Sequence, residues 1–437
     1  MFYRSTKNNS PKADFREATI RGLAPDKGLY FPEKITLLDK ELIENIEEFS
    51  NVEIALNVIR PYVGDTIPEV ELKRIVDETI NFDFPLVKVC DNIFSLELFH
   101  GPTLAFKDVG ARFMSRCLGY FVENEPNNYR EKLTVLVATS GDTGGAVANG
   151  FFDVEGINVV ILYPSGKVSS VQELQLTTLG KNISALEIDG TFDDCQNMVK
   201  TAFADKQLNK ELFLTSANSI NVARWLPQQF YYFFAYKQWP QKQTPPVFSV
   251  PSGNFGNICA GLLAHTSGLP VQHFVAACNA NDVVPEYLET GRYNAKKSLV
   301  TISNAMDVGD PSNFSRILDL FDQQFDSVKS ILTAYSISDN ETREILKKTY
   351  TGYNYLMDPH GAVGFLALQR YLERQESTGG GIFLETAHPV KFYDVVEPII
   401  DESVALPEVV KTLLQLQKKS TRMPADYEQL KRYLLSY

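Results

Sequence analysis

Leu133-Thr134-Val135-Leu136-Val137-Ala138-Thr139-Ser140-Gly141-Asp142-Thr143-Gly144-Gly145-Ala146 passes from a continuous apolar run through a small polar turn into a helix start. An apolar run without polar alternation reads as a strand covered on both faces, the setting of a parallel sheet. Working outward, Ile157–Tyr163 and Ile183–Ile188 repeat the pattern, each followed by turn residues and a helical periodicity. A second series comprises Val247–Val250, Val271–Ala277, Ser298–Ile302 and Ile382–Glu385. Strands alternating with helices predict parallel sheets with crossover helices. The fold class is therefore α/β, with two parallel-sheet α/β domains behind a helical N-terminal segment. That segment contains the acidic stretch Leu38–Ile46 and the run Pro68–Ile80, where apolar residues recur every three or four positions. The expected limits are 1–92 for the N-terminal segment, 93–215 for a smaller domain and 216–437 for a larger one. The polar tract Gln369–Gly381 predicts a surface loop.

The 437 residues are too many for one compact core, and an apolar fraction of 44% with 22% charged residues is that of an ordinary globular protein. A formal charge of -12 leaves no basic footprint for nucleic acid or an anionic membrane surface, so an anionic ligand must be held by a local site. Five scattered cysteines with no CxxC pair argue against a disulfide framework or a zinc site, and the histidines show no metal-ligand spacing. No apolar run approaches the roughly 20 residues of a membrane span, and the polar start is not a signal peptide. A cytoplasmic protein is expected.

In open parallel sheets ligands bind beyond the carboxyl ends of strands, where helix N-termini present free amides. Two loops have that grammar: Thr139–Ala146 and Pro251-Ser252-Gly253-Asn254-Phe255-Gly256-Asn257. Their glycines let the backbone approach an anion. Neither completes a P-loop or a GxGxxG dinucleotide fingerprint. A third segment, Asn218-Ser219-Ile220-Asn221-Val222-Ala223-Arg224, combines hydrogen-bonding side chains with an arginine able to fork onto an oxyanion. Lys107 follows a Gly-Pro turn and the apolar Leu104 and Phe106, and it precedes an amphipathic stretch. It reads either as a desolvated amine, as a Schiff-base nucleophile requires, or as a lysine whose stem packs while its head reaches water. Two anion-shaped loops and a candidate amine together suggest a cofactor phosphate, a substrate anion and an imine-forming lysine.

HGPTLAFKD around Lys107, TSGDTGG at 139–145, NSIN with Arg224, PSGNFGN at 251–257, NAMDVGDPSN at 304–313 and ETAHPVKF at 385–392 together resemble threonine synthase. That family uses pyridoxal 5'-phosphate on fold type II, the tryptophan synthase β-like arrangement. The motifs run in the family's order over residues 95–392, and the start of the chain is also similar. The resemblance implies γ-elimination of phosphate from O-phospho-L-homoserine and β-addition of water to give L-threonine. It makes Lys107 the lysine that carries the cofactor, with Gly253, Asn254, Phe255, Gly256 and Asn257 on the cofactor phosphate and Thr386 on the pyridine nitrogen. It assigns Thr139, Ser140, Gly141, Asp142 and Thr143 to the substrate carboxylate side. Asn218, Ser219 and Arg224 fall where related enzymes hold the substrate phosphate.

Two positions depart from the pattern. Asn257 stands where the family often has aspartate, and Asp142 where other fold type II members carry asparagine. No plant-type N-terminal extension precedes Met1, so S-adenosylmethionine activation is not expected. No metal, nucleic acid or membrane partner is implied, and the chain is expected to be a monomer or homodimer. The alternatives are another fold type II lyase, such as a serine/threonine dehydratase, or a non-catalytic relative that binds phosphorylated ligands. His100 and His388 read as loop-shaping residues, Asp108 as the acidic first-turn residue of its helix, and the aromatic run Phe230–Phe234 as packing.

Overall fold

The structure is a computed structural model and describes residues 1–124, 133–375 and 379–436. Two sheets carry the site. The smaller is wholly parallel, in the order Thr421–Pro424, Ile183–Asp189, Ile157–Pro164, Leu133–Ala138, Phe213–Thr215. Every residue of Leu133–Ala138 is buried, as its unbroken apolar run requires. The larger sheet has the order Leu332–Ser336, His273–Cys278, Val247–Pro251, Gly381–Glu385, Ile93–Glu97, Leu86–Cys90. Its strands are parallel except for the last pair.

Each sheet reverses its winding at one strand. Leu133–Ala138 is flanked by the next strand in sequence on one side and by Phe213–Thr215 on the other. Val247–Pro251 is likewise flanked by His273–Cys278 and Gly381–Glu385. At such switch points the loops leaving adjacent strands diverge and open a crevice. The loops at 139–145 and 216–224 leave one crevice, and those at 252–257 and 386–392 leave the other.

Strand pairing crosses the sequence limits. Ile93–Glu97, expected with the smaller unit, pairs with Gly381–Glu385 in the larger sheet. Thr421–Pro424, from the far end of the chain, adds an edge to the smaller sheet. Ser298–Ile302 is not a strand. Asn281 brackets Leu299, donating to its carbonyl at 3.0 Å and accepting from its N–H at 2.8 Å, while Asp307 accepts from Thr301 N at 3.0 Å. These side chains occupy the backbone groups a sheet neighbour would need, and Val300 is left exposed. The tract Gln369–Gly381 is not all loop either, because the helix Pro359–Arg374 includes its first part. Residues 376–378 lie outside the described residues.

The N-terminal segment is helical, as expected, with Asn51–Val63 and Glu69–Thr79 as its longest helices. It also contains a small antiparallel sheet of Phe2–Ser5, Ala13–Asp14 and Tyr30–Pro32. Tyr3 donates to the Tyr62 carbonyl at 2.7 Å and so pins this sheet to the helices. Among the described residues no helix is long and apolar enough to cross a membrane.

The helix Lys107–Asn124 packs by backbone approach. A Cβ at Gly110 would lie 2.6 Å from the Arg224 carbonyl oxygen, well inside contact distance. Gly110→Ala is expected to destabilise the protein by about 1–3 kcal/mol. Gly352→Ala, whose Cβ would meet nothing within 4 Å in the helix Asp339–Tyr353, is expected to be neutral or stabilising by up to about 1 kcal/mol. Midpoints of urea unfolding for the two variants check this.

Candidate active site

Lys107 opens its helix, and the turn before it is stapled to the strand-end loop that contains Thr386. Phe106 N donates to the Thr386 carbonyl at 2.9 Å, and His388 N donates to the Leu104 carbonyl at 3.0 Å. Leu104 takes φ 58, a left-handed conformation costing about 1–3 kcal/mol for a branched residue, so surrounding bonds must hold it. The Tyr231 hydroxyl supplies one, donating to the Phe106 carbonyl at 2.5 Å. Buried Asp108 supplies two more, accepting from the Thr103 hydroxyl at 2.5 Å and from Thr103 N at 2.9 Å.

The Lys107 side chain is 18% exposed, and its Nζ sits 5.0 Å from the centre of the Phe106 ring. Burial pushes its ammonium below the ordinary lysine range. Asp142 opposes that shift, while Lys391 and Arg224 reinforce it. Asp142 Oδ2 lies 3.7 Å from Lys107 Nζ, and Asp142 Oδ1 lies 2.9 Å from Lys391 Nζ. Gln172 Nε2 also donates to Oδ1 at 2.9 Å. Burial opposes ionisation of Asp142, yet the two lysines and Gln172 hold its carboxyl well below the usual range.

Asp142 is the first residue of the helix Asp142–Phe151. Gly141 has φ 140, and a Cβ there would fall 2.5 Å from the Gln172 side chain, so the turn needs glycine. Thr139 Oγ1 accepts from Gly141 N at 3.0 Å and Gly144 N at 2.8 Å, shaping the loop from within. Ser140 and Thr143 are partly exposed beside it.

The loop after Val247–Pro251 ends in the helix Gly256–Thr266, which has left-handed Phe255 at its cap and no side chain capping its amides. Its first N–H groups lack intrahelical partners by geometry, and the helix dipole favours an anion there. The Tyr232 hydroxyl is 2.9 Å from both the carbonyl and Oδ1 of Asn257, while the buried Asn257 Nδ2 has no partner. Gly253 packs so closely that a Cβ would lie 2.5 Å from Met306 Cα.

This loop is tied to the 216–224 segment. Asn254 Nδ2 donates to Ser219 Oγ at 2.9 Å, and Asn313 Nδ2 donates to the same oxygen at 3.0 Å. Buried Arg316 holds the pair from behind, donating to the carbonyls of Ser219 at 3.0 Å, Ile220 at 2.6 Å and Tyr30 at 3.1 Å. Its guanidinium stacks 4.3 Å from the Trp225 ring centre. The cap of the helix Val222–Trp225 is Asn221. Asn218 Oδ1 and Arg224 Nε are buried without partners, although Arg224 also donates to the Ala217 carbonyl. Burial lowers the Arg224 guanidinium to about 10.

Beneath Thr386 lies a buried acidic group. Glu385 Oε1 accepts from Asp358 N at 2.6 Å, and Asp358 Oδ2 lies 3.1 Å from His360 Nδ1. Burial and the neighbouring Asp358 push the Glu385 carboxyl well above the usual range. His388 caps a short turn by accepting from Val390 N at 3.1 Å, and burial lowers it to about 4. His100 pairs with Glu97 at 2.8 Å.

The structure thus gathers Lys107, Asp142 and Arg224 in one buried neighbourhood and joins Asn254 to Ser219. Thr386 and the Lys107 turn meet through backbone bonds. Two unpartnered buried donors (Arg224 Nε and Asn257 Nδ2) and an uncapped helix suit ligands bearing phosphate, while the unpartnered Asn218 Oδ1 can only accept a hydrogen bond. The sequence reading missed Lys391, Gln172, Arg316 and Asn313. Lys391 falls within the ETAHPVKF motif, which was a signal for it. Asn313 likewise closes the NAMDVGDPSN motif, whereas Gln172 and Arg316 lie on helices with no local mark. Tyr231 and Tyr232 do more than pack, because their hydroxyls reach the Phe106 carbonyl and Asn257.

Residues 87–384 match the family described as pyridoxal-phosphate dependent enzyme. Residues 2–80 match the threonine synthase N terminus, and residues 361–434 the threonine synthase C-terminal family. Threonine synthase from Haemophilus influenzae is 45% identical over 430 residues, covering 98% of each chain. Threonine synthase from Saccharomyces cerevisiae is 37% identical, covering 95% of this chain and 94% of its own. The crystal structure of pyridoxal-phosphate-bound threonine synthase from Brucella melitensis superposes with a TM-score of 0.92 at 35% identity, covering 100% of this chain and 99% of its own.

Tyr231→Phe leaves the buried Phe106 carbonyl without that donor. It is expected to cost about 1–2 kcal/mol, read as a lower midpoint of urea unfolding.

Proposed function

This chain belongs to the threonine synthase family of pyridoxal-phosphate-dependent lyases, and on that premise we propose the roles its own residues play in turning O-phospho-L-homoserine and water into L-threonine and phosphate. The observation that carries the assignment is Lys107, a largely buried amine facing the Asp142 carboxylate at 3.7 Å beside the buried Arg224. The uncapped helix at Gly256, with Gly253, Asn254, Phe255 and Asn257, would hold the cofactor phosphate, and Thr386 would meet the pyridine nitrogen. When bound, pyridoxal phosphate supplies an electron sink for charge developing at the substrate's α-carbon.

Lys107 Nζ would be the group that holds the cofactor, and as a neutral amine it would take the proton from the substrate's α-carbon. Its apolar neighbours and the nearby cations favour that neutral form. Thr139, Ser140, Gly141, Asp142 and Thr143 line the substrate's carboxylate side. The amides of this helix start offer the donors, while the Asp142 carboxylate faces Lys107. Asn218, Ser219 and Arg224 bind the substrate phosphate and orient it as leaving group. Because the chain carries a formal charge of -12, attraction for the dianion has to come from this local site. We also propose a cytoplasmic location and a monomeric or homodimeric state. Five free thiols fit a reducing compartment.

Phosphate release from O-phospho-L-homoserine tests the assignment, and ammonia release from threonine would instead mark a dehydratase. Lys107→Ala is expected to lower kcat by at least about 100-fold, and threonine formation at the wild-type rate would refute its role. Arg224→Met is expected to raise KM by roughly 10–100-fold, the loss of a charge-assisted bond of about 1.5–3 kcal/mol. The kcat profile should fall as pH drops, because protonation inactivates the amine. Its midpoint should lie below the ordinary lysine value of about 10.4.

A further inference from the structure

Lys391 is wholly buried and lies in the turn Pro389–Phe392 that follows Thr386. Its ammonium has three acceptors: Asp142 Oδ1 at 2.9 Å, the Thr103 carbonyl at 2.8 Å and Gln175 Oε1 at 2.9 Å. All three of its protons are therefore committed. Gln175 closes the ring by donating to the same Thr103 carbonyl at 3.0 Å, and Thr103 in turn fixes Asp108, beside Lys107. One ammonium thus ties the loop after Thr386, the turn before Lys107, the helix Ser170–Thr177 and the start of the helix Asp142–Phe151.

Charge counting gives this arrangement a direction. A single carboxylate, Asp142, stands between two lysines, 2.9 Å from Lys391 and 3.7 Å from Lys107. With both amines protonated the trio bears a buried positive charge, whereas with Lys107 neutral the charges cancel. The remaining groups facing Lys107 are Arg224, which adds to the repulsion, and Asp358, which opposes it. Lys391 also bears on Asp108 and His388.

We propose that Lys391 is a positioning residue that occupies one oxygen of Asp142 and thereby keeps the Lys107 amine neutral and reactive. The inference rests on Lys107 being the reacting amine. Its removal would leave Asp142 free to act as the full counter-ion of a protonated Lys107.

The test follows covalent capture by full-length protein stripped of cofactor. The Lys107 lone pair attacks the aldehyde carbon of pyridoxal phosphate, and the two amine protons leave with the aldehyde oxygen as water. Borohydride then delivers hydride to the new C=N bond and fixes the label for mass spectrometry. The rate of capture against pH has an acid limb set by the neutral fraction of the amine. In Lys391→Met this limb is expected to move up by about one pH unit, making capture roughly tenfold slower on its acid side. In Asp142→Asn it is expected to move down, since Lys391 then repels Lys107 without the intervening carboxylate. A Lys391→Met protein that melts at a lower temperature but keeps the wild-type midpoint would reduce Lys391 to a structural role and overturn the proposal. Should Lys391→Met fail to fold, Asp142→Asn decides: a midpoint that stays or rises overturns it equally. Label found on Lys107→Ala at the wild-type rate would instead defeat the reading of Lys107, a failure distinct from either.

Discussion

Asp142 lies buried between two amines, one oxygen 2.9 Å from Lys391 and the other 3.7 Å from Lys107. A carboxylate in such a place is costly unless its charge is matched and its lone pairs are used. Gln172 takes part of that load at 2.9 Å. The three partners come from three separate stretches of chain, and each must be in place for the charge to be tolerated. Asp142 belongs to the smaller sheet's crevice and Lys391 to the larger sheet's, so this contact joins the two halves of the site. It depends on both sheets being complete, including the crossing strand Ile93–Glu97 that delivers the Lys107 turn.

The same economy governs the anion side. Arg316, Asn313 and Asn254 converge on Ser219, so the loop ascribed to the cofactor phosphate and the segment ascribed to the substrate phosphate are braced against each other. The brace extends to Tyr30 of the N-terminal sheet. Ser219, proposed to meet the substrate phosphate, is thereby held by groups that need not touch any ligand, and a rigid frame of this kind reduces the ordering cost of binding. Atoms left unpartnered, such as Asn257 Nδ2, mark where the frame stops and ligand chemistry can begin.

Much of this was legible in the chain. Unbroken apolar runs gave Leu133–Ala138 and Ile157–Pro164 to within a residue because burial on both faces leaves no room for polar alternation. Gly-rich turns marked the helix starts because close backbone approach and positive φ exclude most side chains. Ser298–Ile302 misled because β-branched composition cannot report that Asn281 and Asp307 will claim its backbone groups. Phe213–Thr215 and Thr421–Pro424 went unread because short edge strands carry too few residues to show a period.

The sequence by itself determined the α/β class, the two anion-shaped loops, the candidate amine and the resemblance that joined them. The first three rest on periodicity and turn chemistry within a few residues, and the resemblance on short motifs that follow a set order along the chain. Only the tertiary structure decided that Lys391 meets Asp142, that Arg316 backs Ser219 and that Tyr231 pins the Lys107 turn. Those contacts join residues far apart in the chain, and nothing local distinguishes a buried, paired lysine or arginine from a solvated one. Burial itself makes that distinction, because desolvation forces each charge to find its partner.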